Sequence, residues 1–210
     1  MCHRFRATFA SRRGDAPAAE PWLSDGTRSA SGYAEFVAEF AGASFAGGLY
    51  RVLDATTGPS AQARVDSAFP TLISRATPFV LDWLGRTFAL DLQRVAEGGP
   101  LVLMLEPGTG EVLEVPTSFV EFHESELVDY ADACLATDFF DAWSSQNPTS
   151  LPLGPDQCVG YRVPLFLGGR DDVSNLEVSD LDVYWAMCSQ LWRGVEGLPP
   201  GTPIAGVSGP

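Results

Sequence analysis

Residues 101–116, LVLMLEPGTGEVLEVP, decide the fold. An apolar run, a Pro-Gly pair and a second run with alternating apolar positions read as two strands joined by a tight turn. Pro107 and Gly108 suit the two central positions of a type II turn, where glycine supplies positive φ without steric cost. Such a hairpin commits this part of the chain to antiparallel pairing. On its N-terminal side, PFVLDWLGRTFALDL (78–92) reads as two more strands bent at Gly85, and GGLYRVLD (47–54) as another strand leaving a glycine-rich turn.

Helical periodicity flanks these strands. In YAEFVAEF, Tyr33, Phe36, Val37 and Phe40 fall at i, i+3, i+4 and i+7, with Ser31 as N-cap and Gly42 as stop. Ser118 and Glu121 have capping-box spacing ahead of a stretch in which Leu127, Tyr130, Ala131, Cys134 and Leu135 share one face. A short helix is expected around DFFDAW (138–143). The last helix places Leu181, Tyr184, Trp185, Cys188, Leu191 and Trp192 on one side, behind a Ser179/Asp182 capping box. Between these helices CVGYRVPLFLGG (158–169) reads as a strand, in which Pro164 deletes one ladder hydrogen bond. The expected class is α+β: a mixed or antiparallel sheet of about five to six strands packed with several amphipathic helices. One domain over residues 31–193 is expected, between a disordered basic tail (1–30) and a loose Pro/Gly-rich tail (194–210).

Charge narrows the chemistry. All 13 basic residues are arginine, and from residue 14 onward nine arginines face 27 acids. Between Arg94 and Arg162 lie 12 acids and no arginine. Such a body repels polyanions, so neither direct nucleic-acid binding nor attachment to an anionic membrane is expected. The longest apolar run is far shorter than the roughly 18 residues that span a bilayer. With no lysine, a Walker A loop, a Schiff base and the kinase ATP site are all out of reach. Cys2, Cys134, Cys158 and Cys188 are widely spaced, which suggests neither a disulfide framework nor a zinc site and fits a reducing cytoplasm. The glycine pair in LFLGGRDD lacks the third glycine of a dinucleotide fingerprint and carries two carboxylates that would repel a pyrophosphate. Asp171, Asp172 and Asn175 miss the calcium-loop spacing, so a structural turn with Asp172 or Asn175 capping local backbone is expected. No cofactor and no metal is expected. His123 stands without a nucleophile motif and reads as a surface histidine at a helix end, while Cys134, Cys188, Trp83, Trp185 and Trp192 read as core.

Five segments taken together, GASFAGGLYRV, DWLGRTFALDL, LEPGTGEVLEVP, DFFDAW and above all GYRVPLFLGGRDDVSNLEVSDLDVYW (160–185), resemble bacterial immunity proteins of the type VI secretion DNase-immunity type, broadly comparable to the SUKH group. The likeness covers roughly residues 31–193. It implies an α+β domain without catalysis of its own that neutralises a toxin, often a nuclease, by binding it. No contact residue carries over, because the motifs are framework. The charge pattern agrees: a nuclease presents a basic surface to phosphate, and a carboxylate face can reach it by electrostatic steering. The expected contact patch is Glu121, Glu124, Glu126, Asp129 and Asp132, and the expected partner is a cognate toxin with a basic surface. A general interaction or scaffold module and a small carboxylate-dependent hydrolase are the other readings the residues allow.

Overall fold

The computed structural model describes residues 2–14, 19–195 and 197. Six strands form one antiparallel meander in chain order: β1 (Ser44–Phe45), β2 (Tyr50–Val52), β3 (Ala76–Asp82), β4 (Thr87–Ala96), β5 (Gly99–Glu106) and β6 (Glu111–Ser118). β7 (Gln157–Tyr161) and β8 (Leu176–Asp180) make a separate two-stranded antiparallel ribbon. The class is α+β, as expected, and every pairing is antiparallel. The 101–116 hairpin forms, with Leu105 opposite Val112 and Glu106 opposite Glu111, but its turn is not the expected type II turn on Pro107-Gly108: the positive φ falls on Gly110, at +74°.

Helices cover both faces of the sheet. α1 (His3–Phe9), α2 (Asp25–Arg28) and α3 (Tyr33–Phe40) are followed by α4 (Thr57–Ala68), α5 (Phe119–Glu121), α6 (Leu127–Asp129), α7 (Ala131–Leu135), α8 (Thr137–Gln146) and α9 (Leu181–Val195). The period-2 alternation of the central strands decides which helix meets which face. Phe88, Leu90, Val102 and Met104 point into the larger core with α1, α3 and the 119–143 helices. Ala89, Leu103 and Leu105 point the other way, against α4 and α9. Both faces of the central strands are therefore buried.

The structure departs from the sequence expectations in several places. Residues 2–14 are not a disordered tail. Phe5 and Phe9 of α1 are buried, stacked on each other at 4.7 Å, and Phe5 meets Phe36, Phe45 and His123 edge-on or tilted at 5.3–5.4 Å. A pair of phenylalanines one helical turn apart is an anchor, and Arg4 and Arg6, on either side of Phe5, stay on the wet side. Residues 15–18 of that expected tail, and 196 and 198–210 of the C-terminal one, lie outside the described residues. The run after Tyr161 leaves the sheet: with no amide proton on Pro164, residues 165–167 turn into a short 3-10 helix. α9 is capped one residue later than expected, by Asp180, whose carboxylate accepts from the Val183 amide at 2.9 Å. α3 starts after Gly32, which sits at φ +76° and takes the cap position expected for Ser31. Trp192 is only partly buried, packed over Gly110. Cys158, Cys188, Trp83 and Trp185 are core, and Cys134 is half-buried.

The 163–175 loop is a structural turn built around Asn175. Its side chain donates to the carbonyls of Val163 (2.8 Å) and Arg170 (2.9 Å) and accepts from the Val163 amide (3.0 Å). Asp172 caps the Ser174 amide at 2.9 Å. Gly168 adopts φ +83°, and a Cβ on Gly169 would lie 1.8 Å from the Val163 carbonyl oxygen, so the glycine pair serves backbone geometry.

Candidate functional site

The carboxylate-rich stretch that follows β6 begins with the expected capping box. Glu121 accepts from the Ser118 amide at 3.0 Å and from its hydroxyl at 2.9 Å, while Ser118 Oγ accepts from the Glu121 amide at 3.4 Å. Those bonds hold the Glu121 carboxyl below its ordinary range. Residues 122–126 then form a single π-helical turn. Phe119, Phe122, His123 and Leu127, at i, i+3, i+4 and i+8, all face the core. The helix breaks at Tyr130, which is 61% exposed, so the expected stripe through Tyr130 does not form.

His123 is therefore not at the surface. It is fully buried, with Nδ1 2.8 Å from the Phe119 carbonyl and Nε2 2.7 Å from the Tyr50 hydroxyl. A carbonyl only accepts, so Nδ1 carries the proton and Nε2 accepts from Tyr50. Burial among Phe5, Phe36 and Phe119 lowers its pKa to about 3 and keeps the ring neutral. Both ring nitrogens are spent on structure.

The expected patch is dispersed among structural tasks. Arg4, at the start of α1, holds Asp129 through both terminal nitrogens (2.5 and 2.9 Å). The hydrogen bonds from Arg4 keep the Asp129 carboxyl low. The Arg4 amide also donates to the Glu124 carboxylate at 3.2 Å, and its guanidinium to the Glu124 carbonyl at 2.9 Å. Asp132 accepts from the Asp138 amide (2.9 Å) and the Thr137 hydroxyl (3.2 Å), capping α8. Glu126 is half-buried, and its carboxylate has no hydrogen-bonded partner among the described residues. Thus Glu124 and Asp129 meet at Arg4, whereas Glu121 and Asp132 serve separate helix ends. Sequence reasoning misses Arg4 because it falls within the expected tail. The signal that points to it is the Phe5/Phe9 spacing beside it.

Two carboxyls have pKa values raised by burial, and neither belongs to that patch. Asp82 is fully buried and accepts from the Arg86 side chain at 2.5 Å and from its amide at 2.9 Å. Glu106, pushed up to about 7, lies 3.9 Å from the same guanidinium. This buried trio ties the β3–β4 turn to β5, and Arg86 also donates to the Cys134 carbonyl at 3.0 Å. The groove between α4 and α9, about 300 Å³, is lined by Ser60, Arg64, Ser67, Asp182, Trp185 and Ser189 and holds Asp182 as its one carboxylate among the described residues. No helix of the described residues is long and apolar enough to cross a membrane.

Residues 117–192 match the family model described as T6SS immunity protein Tdi1, C-terminal. That stretch runs from the end of β6 to α9, and over it the likeness read from the sequence is borne out. A solved structure described as the crystal structure of Atu4351 from Agrobacterium tumefaciens superimposes with a TM-score of 0.53 at 15% identity, covering 90% of this chain and 89% of that one. At that identity the similarity defines the fold. No curated protein matches.

Proposed function

We propose that this chain is a non-catalytic immunity protein that binds and neutralises a cognate toxin of type VI secretion, a nuclease effector being the class that best fits its charge. The observation that carries the reading is the family match over residues 117–192. The charge supports it independently. A net formal charge of −14 sets up a field that attracts a basic protein and repels nucleic acid, so the partner is a protein with a cationic surface, and the four free, widely spaced cysteines suit the cytoplasm as the site of action. Glu121, Glu124, Glu126, Asp129 and Asp132 contribute to that field. Because four of the five are engaged within the protein, their part is long-range steering, and their replacement acts on the association rate more than on dissociation.

The test is co-expression with the adjacent open reading frame. Rescue of growth from the toxicity of that gene product, together with co-purification and an association rate that falls steeply between about 50 and 200 mM salt, supports the reading. Failure to rescue or to co-purify overturns it.

A further inference from the structure

α9 has three sides, and among the described residues two are occupied. Its inner side buries Leu181, Tyr184, Trp185 and Cys188, and Trp185 Nε1 donates to the Gly85 carbonyl at 2.8 Å. The side facing α4 carries polar links: Arg64 donates to Asp182 at 2.7 Å and Arg193 to the Ser67 carbonyl. At about 100° per residue, Val183, Met187, Gln190 and Leu191 fall on the third, outward side. Val183 is 64% exposed and Met187 37%, and these residues with Ala186 and Gly194 line a shallow concavity of about 570 Å³. A solvated helix face ordinarily carries charge. This one has none from Val183 to Leu191.

We propose that this outward face of α9 is the surface on which the cognate toxin docks, with Val183 and Met187 receiving an apolar side chain that the toxin surrounds with arginine or lysine. The proposal rests on the immunity reading. An apolar centre with a charged rim is the anatomy of a protein interface, and the unbranched Met187 adapts its shape to the partner. The rim fixes the sign of the partner. Asp180 and Asp182 lie exposed at the N-terminal end of the stripe, the Asp182 side chain remaining 72% exposed despite Arg64, and Glu177 of β8 stays 51% exposed beside Arg162 at 3.3 Å. Against a second copy of this chain the same rim and a net charge of −14 on each molecule oppose association. A small ligand finds too little here, since among the described residues the concavity offers Gln190 as its one polar side chain. The face also lies within the stretch matched to the immunity family.

The full chain and the product of the adjacent open reading frame serve as the test pair. Val183→Ser with Met187→Arg is expected to weaken binding by roughly 100-fold or more, as loss of an interface centre does, and to abolish growth rescue. Gln190→Arg, a polar exchange at an exposed position that leaves folding untouched, is expected to weaken it about 10-fold through repulsion and bulk. Gln146→Arg, the same exchange at an exposed position of α8 on the opposite layer, changes it by a few-fold at most. If wild type binds and both α9 variants bind within about 3-fold of it, the docking surface is elsewhere and the inference falls while the immunity reading stands. If wild type itself does not bind, both fall. A wild-type chain that sediments as a dimer and turns monomeric with Val183→Ser/Met187→Arg would assign the face to a second copy and overturn the proposal.

Discussion

Arg4 and Asp129, 125 residues apart in sequence, form a two-pronged ion pair at 2.5 and 2.9 Å that closes α1 over the end of α6. The pair is exposed on both sides, so water and salt weaken it, and the docking of α1 is held by Phe5 and Phe9 beneath it. Arg4→Ala is expected to leave the thermal midpoint almost unchanged. Phe5→Ala removes a fully buried ring and is expected to cost about 3–5 kcal/mol. Urea unfolding of the two variants checks the contrast; equal small losses would place α1 outside the cooperative core.

His123 makes stability fall with acid. Its folded pKa of about 3 lies below the ordinary value of 6.5. The unfolded chain therefore binds the proton first, and stability present above pH 6.5 is lost as pH falls toward 3, at a limiting slope of about 1.4 kcal/mol per pH unit. His123→Phe is expected to be less stable at pH 7, because the Tyr50 hydroxyl and Phe119 carbonyl lose their partner, yet to lose less than wild type on moving to pH 5. Urea midpoints of both proteins at pH 7 and 5 give the comparison, and parallel losses would contradict it.

Glu106 works in the opposite direction over an overlapping range. Its folded pKa of about 7 lies above the ordinary 4.5, because burial outweighs the nearby Arg86. The folded protein holds the proton more tightly, so the stability tied to protonation is fully present below pH 4.5 and is lost as pH rises through 7. Glu106→Gln keeps the shape without the charge. It is expected to be more stable than wild type at pH 8, by on the order of 1–3 kcal/mol, and equal to it at about pH 4. An unchanged difference between the two pH values would mean that Glu106 is ionised throughout.

How far the sequence leads depends on the range of the interaction. The 101–116 hairpin, the Ser118/Glu121 box and the Asp172/Asn175 turn are local, and their residue types allow few alternatives; all three form. α4 carries a weak stripe, with Gly58, Ala61 and Val65 as its buried positions, and small side chains leave little periodicity to read. His123 shares an ordinary helical face with Phe119 and Phe122, at i, i+3 and i+4, and its burial escapes the sequence because the carboxylates of FHESEL beside it read as a solvated helix end. The carboxylates are legible as a field. Their partners are not: Arg4 reaches Glu124 and Asp129 from the far end of the chain, and only the docking of two phenylalanines brings it there.

The glycine pair at 168–169 offers a last contrast, because its members are constrained for different reasons. Gly168 sits at φ +83°, and a Cβ on it would meet nothing within 4 Å, so alanine there encounters only backbone strain, about 1–2 kcal/mol. Gly169 faces the Val163 carbonyl, where a Cβ would come within 1.8 Å of the oxygen that accepts from Asn175. Alanine at 169 must therefore push Val163 away and dissolve the Asn175 clip, freeing the loop whose Asp171 accepts from the Tyr161 hydroxyl at 2.7 Å. Gly169→Ala is expected to raise hydrogen exchange at the Val163 and Asn175 amides well beyond the effect of Gly168→Ala, with β7 and β8 keeping their pairing. Equal exchange in the two variants would show that the carbonyl contact does not control the loop.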